Sequence, residues 1–357
     1  MKNVLVNENY LSEIANSIRN KNGATDKYKP SEMAAAIDMI EAGNEENDEL
    51  TKSYLSLISN DLGANCTKLP NITEIGKNAF RERTNLALTE LPESLISIGD
   101  TAFQYCTNLK LIKLPENLTT IKGGAFQYCT NLALTEIPDN VTSIESYVFS
   151  RCTNLPLTKI SKNLTKIEEG TFQYCTKLAL TELPENIKSI GSYAFQGCTN
   201  LILTKLPESL TSINLSAFLD CTKLALTELP KNLNSIGTQA FYRCSNLAIT
   251  EIPANIITLS VSAFQYCYNI THLTIKGQIT GIGANAFGYC TNLNKVVFSN
   301  LVAVPALVNS NAFVSTLIAN GEGYIYVPDN LVESFKSATN WSVYADQIKG
   351  LSELEEA

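Results

Sequence analysis

Apolar residues recur along this chain at one fixed interval. Ten of the thirteen phenylalanines stand 23 residues apart: Phe80, Phe103, Phe126, Phe149, Phe172, Phe195, Phe218, Phe241, Phe264 and Phe287. Three residues after all but the first comes a cysteine column: Cys106, Cys129, Cys152, Cys175, Cys198, Cys221, Cys244, Cys267 and Cys290. This periodicity predicts a solenoid, in which each unit buries its apolar face against its neighbours.

The composition of one unit narrows the geometry. Residues 91–113 have the sequence LPESLISIGDTAFQYCTNLKLIK, with Leu or Ile in fixed slots, a glycine turn and a threonine-rich segment in most units. We expect one short strand per unit and a parallel sheet roughly 45–50 Å long at ~4.8 Å per strand. Because proline lacks the N–H that continues a ladder, a recurring proline is expected to close each strand. These prolines are Pro92, Pro115, Pro138, Pro184, Pro207, Pro230 and Pro253.

The pattern N-L-x-x-(I/L/T)-x-(L/I)-P-x-x-(L/I)-x-x-I-x-x-x-A-F-x-x-C over residues 66–298 resembles the BspA-like class of bacterial leucine-rich repeats. The resemblance implies a leucine-rich repeat solenoid with a parallel β-sheet on its concave face. One slot departs from the class, because most units carry Thr where Ile or Leu is usual, with Leu or Ile just before it. Either the strand shifts by one residue and buries this leucine column, or the column faces outward. We favour burial, because an exposed apolar stripe would promote aggregation. The column comprises Leu134, Leu157, Leu180, Leu203 and Leu226.

The two ends do not repeat. Apolar spacing predicts two helices in residues 1–43, which form a helical adaptor module, followed by a linker and N-terminal cap at 44–65. The module resembles a short segment of tail and baseplate-associated proteins from phages and prophages of Gram-positive bacteria. Ten 23-residue repeats occupy 66–298, and 299–357 resemble the C-terminal β/α cap of the same repeat class. There we expect a strand at 324–328, a helix to about residue 338, and Trp341 in the cap interior.

Charge and hydropathy exclude several protein classes. The net charge is −8, so the chain lacks the excess of basic residues that is typical of a nucleic-acid-binding protein. No apolar stretch approaches the ~20 residues of a transmembrane helix, and residues 1–7 lack the apolar core of a signal peptide. We therefore expect a virion-associated or cytoplasmic protein that is released on lysis, with a cell-surface location as the alternative.

Candidate catalytic chemistry is sparse. The single histidine, His272, has no recurring Asp, Ser or Cys beside it and is expected to face solvent. Zinc-type cysteine spacing and glycine-rich phosphate loops are absent from the sequence. Stacked cysteines that point the same way hold their Cβ atoms ~4.8 Å apart, beyond the preferred disulfide distance, so we expect buried free thiols. We predict no enzyme activity, no cofactor and no metal.

A charged column precedes the proline slot by two residues, and its sign alternates over much of its length. It comprises Glu90, Lys113, Glu136, Lys159, Glu182, Lys205, Glu228 and Glu251. Each pair of opposite charges on neighbouring strands contributes ~0.2–1 kcal/mol to folding stability, so we interpret the column as a ladder that fixes register. The alternative is a binding site on the concave face.

The sequence as a whole predicts a recognition or adhesion protein that binds a protein or glycan on a cell surface, without nucleic-acid binding or membrane insertion. Either it is phage- or prophage-encoded and docks through its N-terminal module on a larger assembly, or it is a BspA-like bacterial surface adhesin. In both cases Phe172 and Phe195, stacked on both sides, should contribute more stability than Phe80 and Phe287, which we expect beside the caps.

Overall fold

The computed structural model describes Leu69, residues 72–86 and residues 88–354. The predicted helical module at 1–43, the linker at 44–65 and Cys66 lie outside these residues. Within them the chain forms a solenoid of parallel strands, as the repeat predicts.

Most units contribute one two-residue strand, formed by the fifth residue before the phenylalanine and the residue preceding it; in the last strand of the set, Leu307 is the sixth residue before Phe313. These strands are β1 (Glu74–Ile75), β2 (Ser97–Ile98), β3 (Thr120–Ile121), β4 (Ser143–Ile144), β5 (Lys166–Ile167), β6 (Ser189–Ile190), β7 (Ser212–Ile213), β8 (Ser235–Ile236), β10 (Thr258–Leu259), β12 (Gly281–Ile282) and β14 (Ala306–Leu307). They pair in parallel as three sheets, β1–β4, β5–β8 and β10–β12–β14. In each pair the second residue is buried and packs above its equivalent in the next coil.

A second set of strands joins the C-terminal coils. It consists of β9 (Glu251–Ile252), β11 (His272–Ile275), β13 (Lys295–Phe298), β15 (Tyr324–Val327) and β16 (Ile348–Gly350). They form one five-stranded parallel sheet in the order β16-β15-β13-β11-β9. Because β16 follows β15 at the end of this sheet, the strand predicted at 324–328 is not the last one.

The strand position predicted from the sequence is wrong for the earlier coils. We expected the strand in the Leu-Thr-Glu segment, but before Glu251 that segment carries one isolated bridge, Glu136 to Lys159, in the part of the chain described. Proline, which cannot donate to a ladder, follows the segment in most of those units. It does not act alone, because Ser161 stands in the proline slot of a unit without a strand and Pro253 follows β9. The units containing β11 and β13 have no proline there, and their strands lengthen to four residues.

The leucine column is buried, as we expected, although the strands of these coils lie elsewhere. Leu134 and Leu180 are 0 % exposed, whereas the threonines after them, Thr135 and Thr181, are exposed. The three other leucines of the column are also 0 % exposed. Threonine and charged side chains therefore form the outer surface of this segment.

Phenylalanine rings form a continuous stack through the interior. Successive centroids lie 5.2–5.7 Å apart with nearly parallel planes from Phe80 to Phe313. Phe287 stacks on Phe313 at 5.5 Å, so our expectation that it ends the stack was wrong. The chain between them is three residues longer than one repeat, and the extra length loops out without breaking the stack.

The cysteine column is buried and its nine thiols are free. Each Sγ donates a hydrogen bond to the carbonyl oxygen of the phenylalanine in the coil before, at 2.9–3.1 Å. Burial raises the pKa of the Cys106 and Cys290 thiols to about 12. The cysteines therefore do more than fill space, because each one joins two coils.

The C-terminal segment packs against the last coil around Trp341. It contains α1 (Val332–Ser337) and 3-10 helices at Ser310–Phe313, Asp329–Leu331, Ser342–Gln347 and Leu351–Glu353. Trp341 is 1 % exposed, contacts the rings of Phe298 and Phe335, and donates its indole N–H to the carbonyl oxygen of Pro305 at 2.8 Å. This confirms the interior position expected for the tryptophan.

The phenylalanine stack makes a prediction about stability. Phe195→Ala and Phe287→Ala should each lower the free energy of unfolding by about 3–5 kcal/mol, because each removes a fully buried ring with neighbours on both sides. Urea unfolding followed by circular dichroism measures this, with Phe195→Leu as a milder control that keeps part of the volume. A clearly smaller loss at Phe287 would contradict a stack that continues to Phe313.

The thiol column makes a second prediction. The nine column thiols of native protein should react hardly at all with a thiol reagent at neutral pH, because burial disfavours the reactive thiolate, so at most about one thiol should titrate. Denatured, unreduced protein should titrate close to the ten cysteines of the sequence. Two or fewer free thiols after denaturation would mean that the column is oxidised to disulfides.

Candidate recognition surface

The charged column lies on the outer surface of the Leu-Thr-Glu segments. Glu90 is half-buried and the other seven members are exposed. Two of its lysines form ion pairs with glutamates that directly follow the proline slot one coil earlier: Lys113 with Glu93 at 3.2 Å and Lys205 with Glu185 at 3.8 Å. We expected pairing with neighbours within the column, but these contacts join it to a second column instead, and Glu251 pairs with Lys276 in the proline slot of the next coil at 2.6 Å.

The second column contributes a similar contact of its own. Lys162 places its Nζ 3.0 Å from Oδ2 of Asp139, and its backbone N–H donates to Oδ1 at 3.2 Å. These hydrogen bonds hold the pKa of the Asp139 carboxyl below its usual value. Ion pairs between adjacent coils thus compensate part of the charge on this face, which suits a ladder that fixes register.

His272 is exposed at the start of β11, and its Nδ1 lies 3.0 Å from the hydroxyl of Thr271. Over residues 72–86 and 88–354 no three His, Cys, Asp or Glu side chains gather as metal ligands would. In the same part of the chain no helix is long and apolar enough to cross a membrane.

A surface that the sequence analysis did not single out lies two residues after the phenylalanines. There Tyr105, Tyr128, Arg151 and Tyr174 stand in four successive coils, and we call them the tyrosine–arginine row. The Tyr105 and Tyr128 rings stack at 4.5 Å between centroids. The guanidinium carbon of Arg151 lies 5.4 Å from the Tyr128 ring and 4.5 Å from the Tyr174 ring, which places this cation between two aromatic rings.

The backbone of the row is left-handed, with φ from 57° to 62°. The same slot continues as Gly197 and Asp220, where the row is interrupted. Gly197 has a φ of 72°, and a Cβ there would come within 2.5 Å of the Tyr174 ring. The missing side chain therefore makes room for the last ring of the row.

A second aromatic group follows the interruption. Arg243 lies over the rings of Tyr242 and Tyr266, at 5.2 and 5.6 Å, and Tyr266 stacks on Tyr289 at 4.7 Å. This arginine differs from Arg151 because it also forms an ion pair with Asp220 at 3.8 Å. The recurring tyrosine of the Phe-x-Tyr-Cys segment was the sequence signal for both groups, but Arg, Gly and Asp in the same slot obscure it.

Comparison with known families identifies the repeat. The family described as BspA type leucine rich repeat region matches residues 73–202 and 189–318, which is more than half of the chain. The chain belongs to this family. No curated protein sequence matches it.

Solved leucine-rich repeat structures are similar to this BspA-type chain. A leucine-rich repeat protein from Bacteroides ovatus is 21 % identical, with a TM-score of 0.46, covering 80 % of this chain and 91 % of its own. A leucine rich cell surface protein from Faecalibacterium prausnitzii is 20 % identical, with a TM-score of 0.42 and coverage of 79 % and 86 %. The pneumococcal vaccine antigen PcpA is 19 % identical, with a TM-score of 0.41 and coverage of 68 % and 78 %.

The charged column makes a prediction that depends on salt. Lys159→Glu should lower the free energy of unfolding by about 1 kcal/mol at low ionic strength, because it adds a like charge beside Glu136 and near Asp139. At about 1 M NaCl the loss should shrink, since salt screens exposed charges.

The matched control for this substitution is Lys188→Glu. Lys188 is exposed and its neighbours in the adjacent coils are Thr165 and Thr211, so no acidic side chain shares its column there. Its effect should be small and independent of salt. Equal destabilisation by Lys159→Glu at both salt concentrations would contradict an exposed charge ladder.

Proposed function

We propose that this BspA-type chain is a non-enzymatic recognition or adhesion protein that acts by binding another protein. The observation that carries the proposal is the contrast between buried and exposed columns of the same coils. The phenylalanine, cysteine and leucine columns hardly vary, whereas the slot of the tyrosine–arginine row holds Tyr, Arg, Gly, Asp or Glu. A uniform interior that presents a varied surface is the arrangement with which repeat proteins bind partners.

The exposed charged column is one candidate for the binding surface. Its members from Lys113 to Glu251 face solvent, and a partner with the complementary alternation of charge would fit them. The ion pairs between coils weigh against this use, because a partner would have to compete with them. We therefore rank the column as a register ladder first and a binding surface second.

Two biological settings fit such a protein. In one it is encoded by a phage or prophage, and residues 1–43 dock on the virion while the solenoid faces outward. The resemblance of the N-terminal segment to tail-associated modules supports this setting. In the other it is a bacterial surface adhesin, and membership of the BspA-type family fits equally well.

We also propose that residues 299–357 cap the solenoid. Phe313 ends the phenylalanine stack within the described residues, and the rings of Trp341 and Tyr344 lie against it. These aromatic side chains cover apolar surface that the last coil would otherwise expose, which is what a solenoid requires at its end.

A cell-binding assay tests the proposed function. Fluorescently labelled full chain is added to Gram-positive bacteria and to cultured epithelial cells, each intact, treated with proteinase K, or oxidised with periodate. We expect saturable binding that protease treatment abolishes and periodate leaves intact. Loss on periodate alone would assign a glycan partner, and absence of saturable binding to every cell type would contradict the proposal.

The two settings can be separated by the genes that flank the coding sequence. Tail and lysis genes would support the phage setting, whereas sortase or secretion genes would support the surface adhesin. Antibody labelling of released particles and of intact cells gives the corresponding direct result.

A further inference from the structure

We propose that the tyrosine–arginine row is a binding site for an acidic segment of a partner protein. The proposal rests on the proposed function and goes further, because it names the surface and the chemistry of what binds there. The row consists of Tyr105, Tyr128, Arg151 and Tyr174, as defined above.

The fold does not require these side chains. Every coil has a left-handed residue at this slot, and Gly197 meets the requirement with φ of 72°. Glycine adopts such a backbone without steric cost, whereas tyrosine and arginine adopt it against their preference. Glu82, Asp220 and Ser315 hold the same conformation in other coils, so the backbone leaves the choice of side chain at this slot free.

The charge of the row is uncompensated. Within the described chain Arg151 has no carboxylate within ion-pair distance, whereas Arg243, in the same slot, is paired with Asp220. The Arg151 guanidinium lies between the Tyr128 and Tyr174 rings, and the N–H donors of a guanidinium lie in its own plane. A carboxylate accepts two such donors side by side, so an acidic group complements this site on an otherwise acidic protein.

The stacking also indicates which class of molecule fits. One face of the Tyr128 ring lies on Tyr105 and the other on Arg151, and Tyr174 lies between Arg151 and the backbone of Gly197. Sugars bind aromatic side chains through the ring face, and the faces of Tyr128 and Tyr174 are occupied by these neighbours. What remains outward is a row of ring edges around a planar cation, with Glu82 in the same slot one coil before Tyr105. Protein interfaces favour this composition of Tyr and Arg.

Beside the row lie glutamine side chains, which are neutral amides that form hydrogen bonds with one another. Gln104 donates to Gln127 at 2.5 Å, and Gln173 donates to Gln196 at 2.6 Å. They flank the row on both sides of Arg151 and add no negative charge. The surface is thus rigid, aromatic and cationic, and preorganisation of this kind lowers the entropic cost of binding.

A peptide selection tests the proposal with defined probes. A phage-displayed library of random dodecapeptides is selected on the immobilised full chain, and the most enriched peptide is synthesised with a fluorescent label. Its affinity is measured by fluorescence polarisation for the wild type, Arg151→Gln, Arg151→Lys and Arg243→Gln. Arg243→Gln is the matched control, because it removes an arginine from the same slot that already has a carboxylate partner. Thermal unfolding of each variant verifies that the exposed substitutions leave the fold intact.

We expect the selected peptides to be rich in Asp and Glu. Arg151→Gln should weaken binding about tenfold or more, as loss of a charged interface anchor does. Arg151→Lys should retain only part of the wild-type affinity, and Arg243→Gln should change the affinity less than about twofold. Binding should also weaken with added salt.

Three results would overturn the proposal. The first is a selection that yields no acidic peptides. The second is an enriched peptide that binds Arg151→Gln as well as it binds the wild type, in which case the chain still recognises proteins, but through another surface. The third is hyaluronan or polygalacturonate that binds the wild type and not Arg151→Gln while the peptides fail, which would assign a carboxylated glycan. Peptide binding at Arg151 without any cell binding would leave the row standing and refute the adhesion role.

Discussion

The hydrogen bonds at the phenylalanines are the constraint on which the rest of this solenoid depends. The backbone N–H of Phe195 donates to the carbonyl oxygen of Ala217 in the next coil, at 2.8 Å. Its own carbonyl oxygen accepts the backbone N–H of Cys198 and the Sγ of Cys221, both at 3.0 Å. One residue thus makes one hydrogen bond within its own turn and two to the next coil. All three lie in the dry interior, where an unmade hydrogen bond is costly.

This constraint fixes the spacing between the phenylalanine and the cysteine and explains where variation is allowed. A residue added between Phe195 and Cys198 would displace the two bonds that Cys198 donates, to Phe195 in its own coil and to Phe172 in the coil before, whereas the outward slots participate in neither. At the C-terminal end the three additional residues before Phe313 lie outside that segment, and the ring stack is preserved. The exposed columns can therefore differ from coil to coil without disturbing the interior, which is the property that a recognition surface needs.

Much of the fold could be predicted from periodicity, because the stacked columns repeat in the sequence as they do in space. The solenoid, the buried thiols and the buried leucines all follow from fixed spacing and the aversion of apolar side chains to water. Strand position could not be predicted, because the Ser-Ile and Leu-Thr-Glu segments are both compatible with extended structure. Loss of proline accompanies the four-residue strands β11 and β13, but the unit with Ser161 in the proline slot forms no strand there.

The candidate surfaces were harder to predict, because spacing gives the column of a side chain but not the direction in which it leans. The charged column suggested pairing along its length, whereas Lys113 reaches back to Glu93. A column of asparagines was missed for the same reason: Asn117 and Asn140 each donate to a carbonyl oxygen one coil earlier, at 2.8 Å. The tyrosine–arginine row depends on a left-handed backbone that spacing does not reveal.

The most direct test of the account compares a large deletion with a small insertion. One variant lacks residues 195–217, which removes one whole repeat and joins Ala194 to Phe218. The other gains a single serine between Gln196 and Gly197, within the segment that carries the coil-to-coil bonds. Urea unfolding measures the free energy of unfolding of both. The account predicts that the shortened chain unfolds cooperatively and is the more stable of the two, because its register is intact. An insertion variant as stable as the wild type, or more stable than the shortened chain, would contradict it.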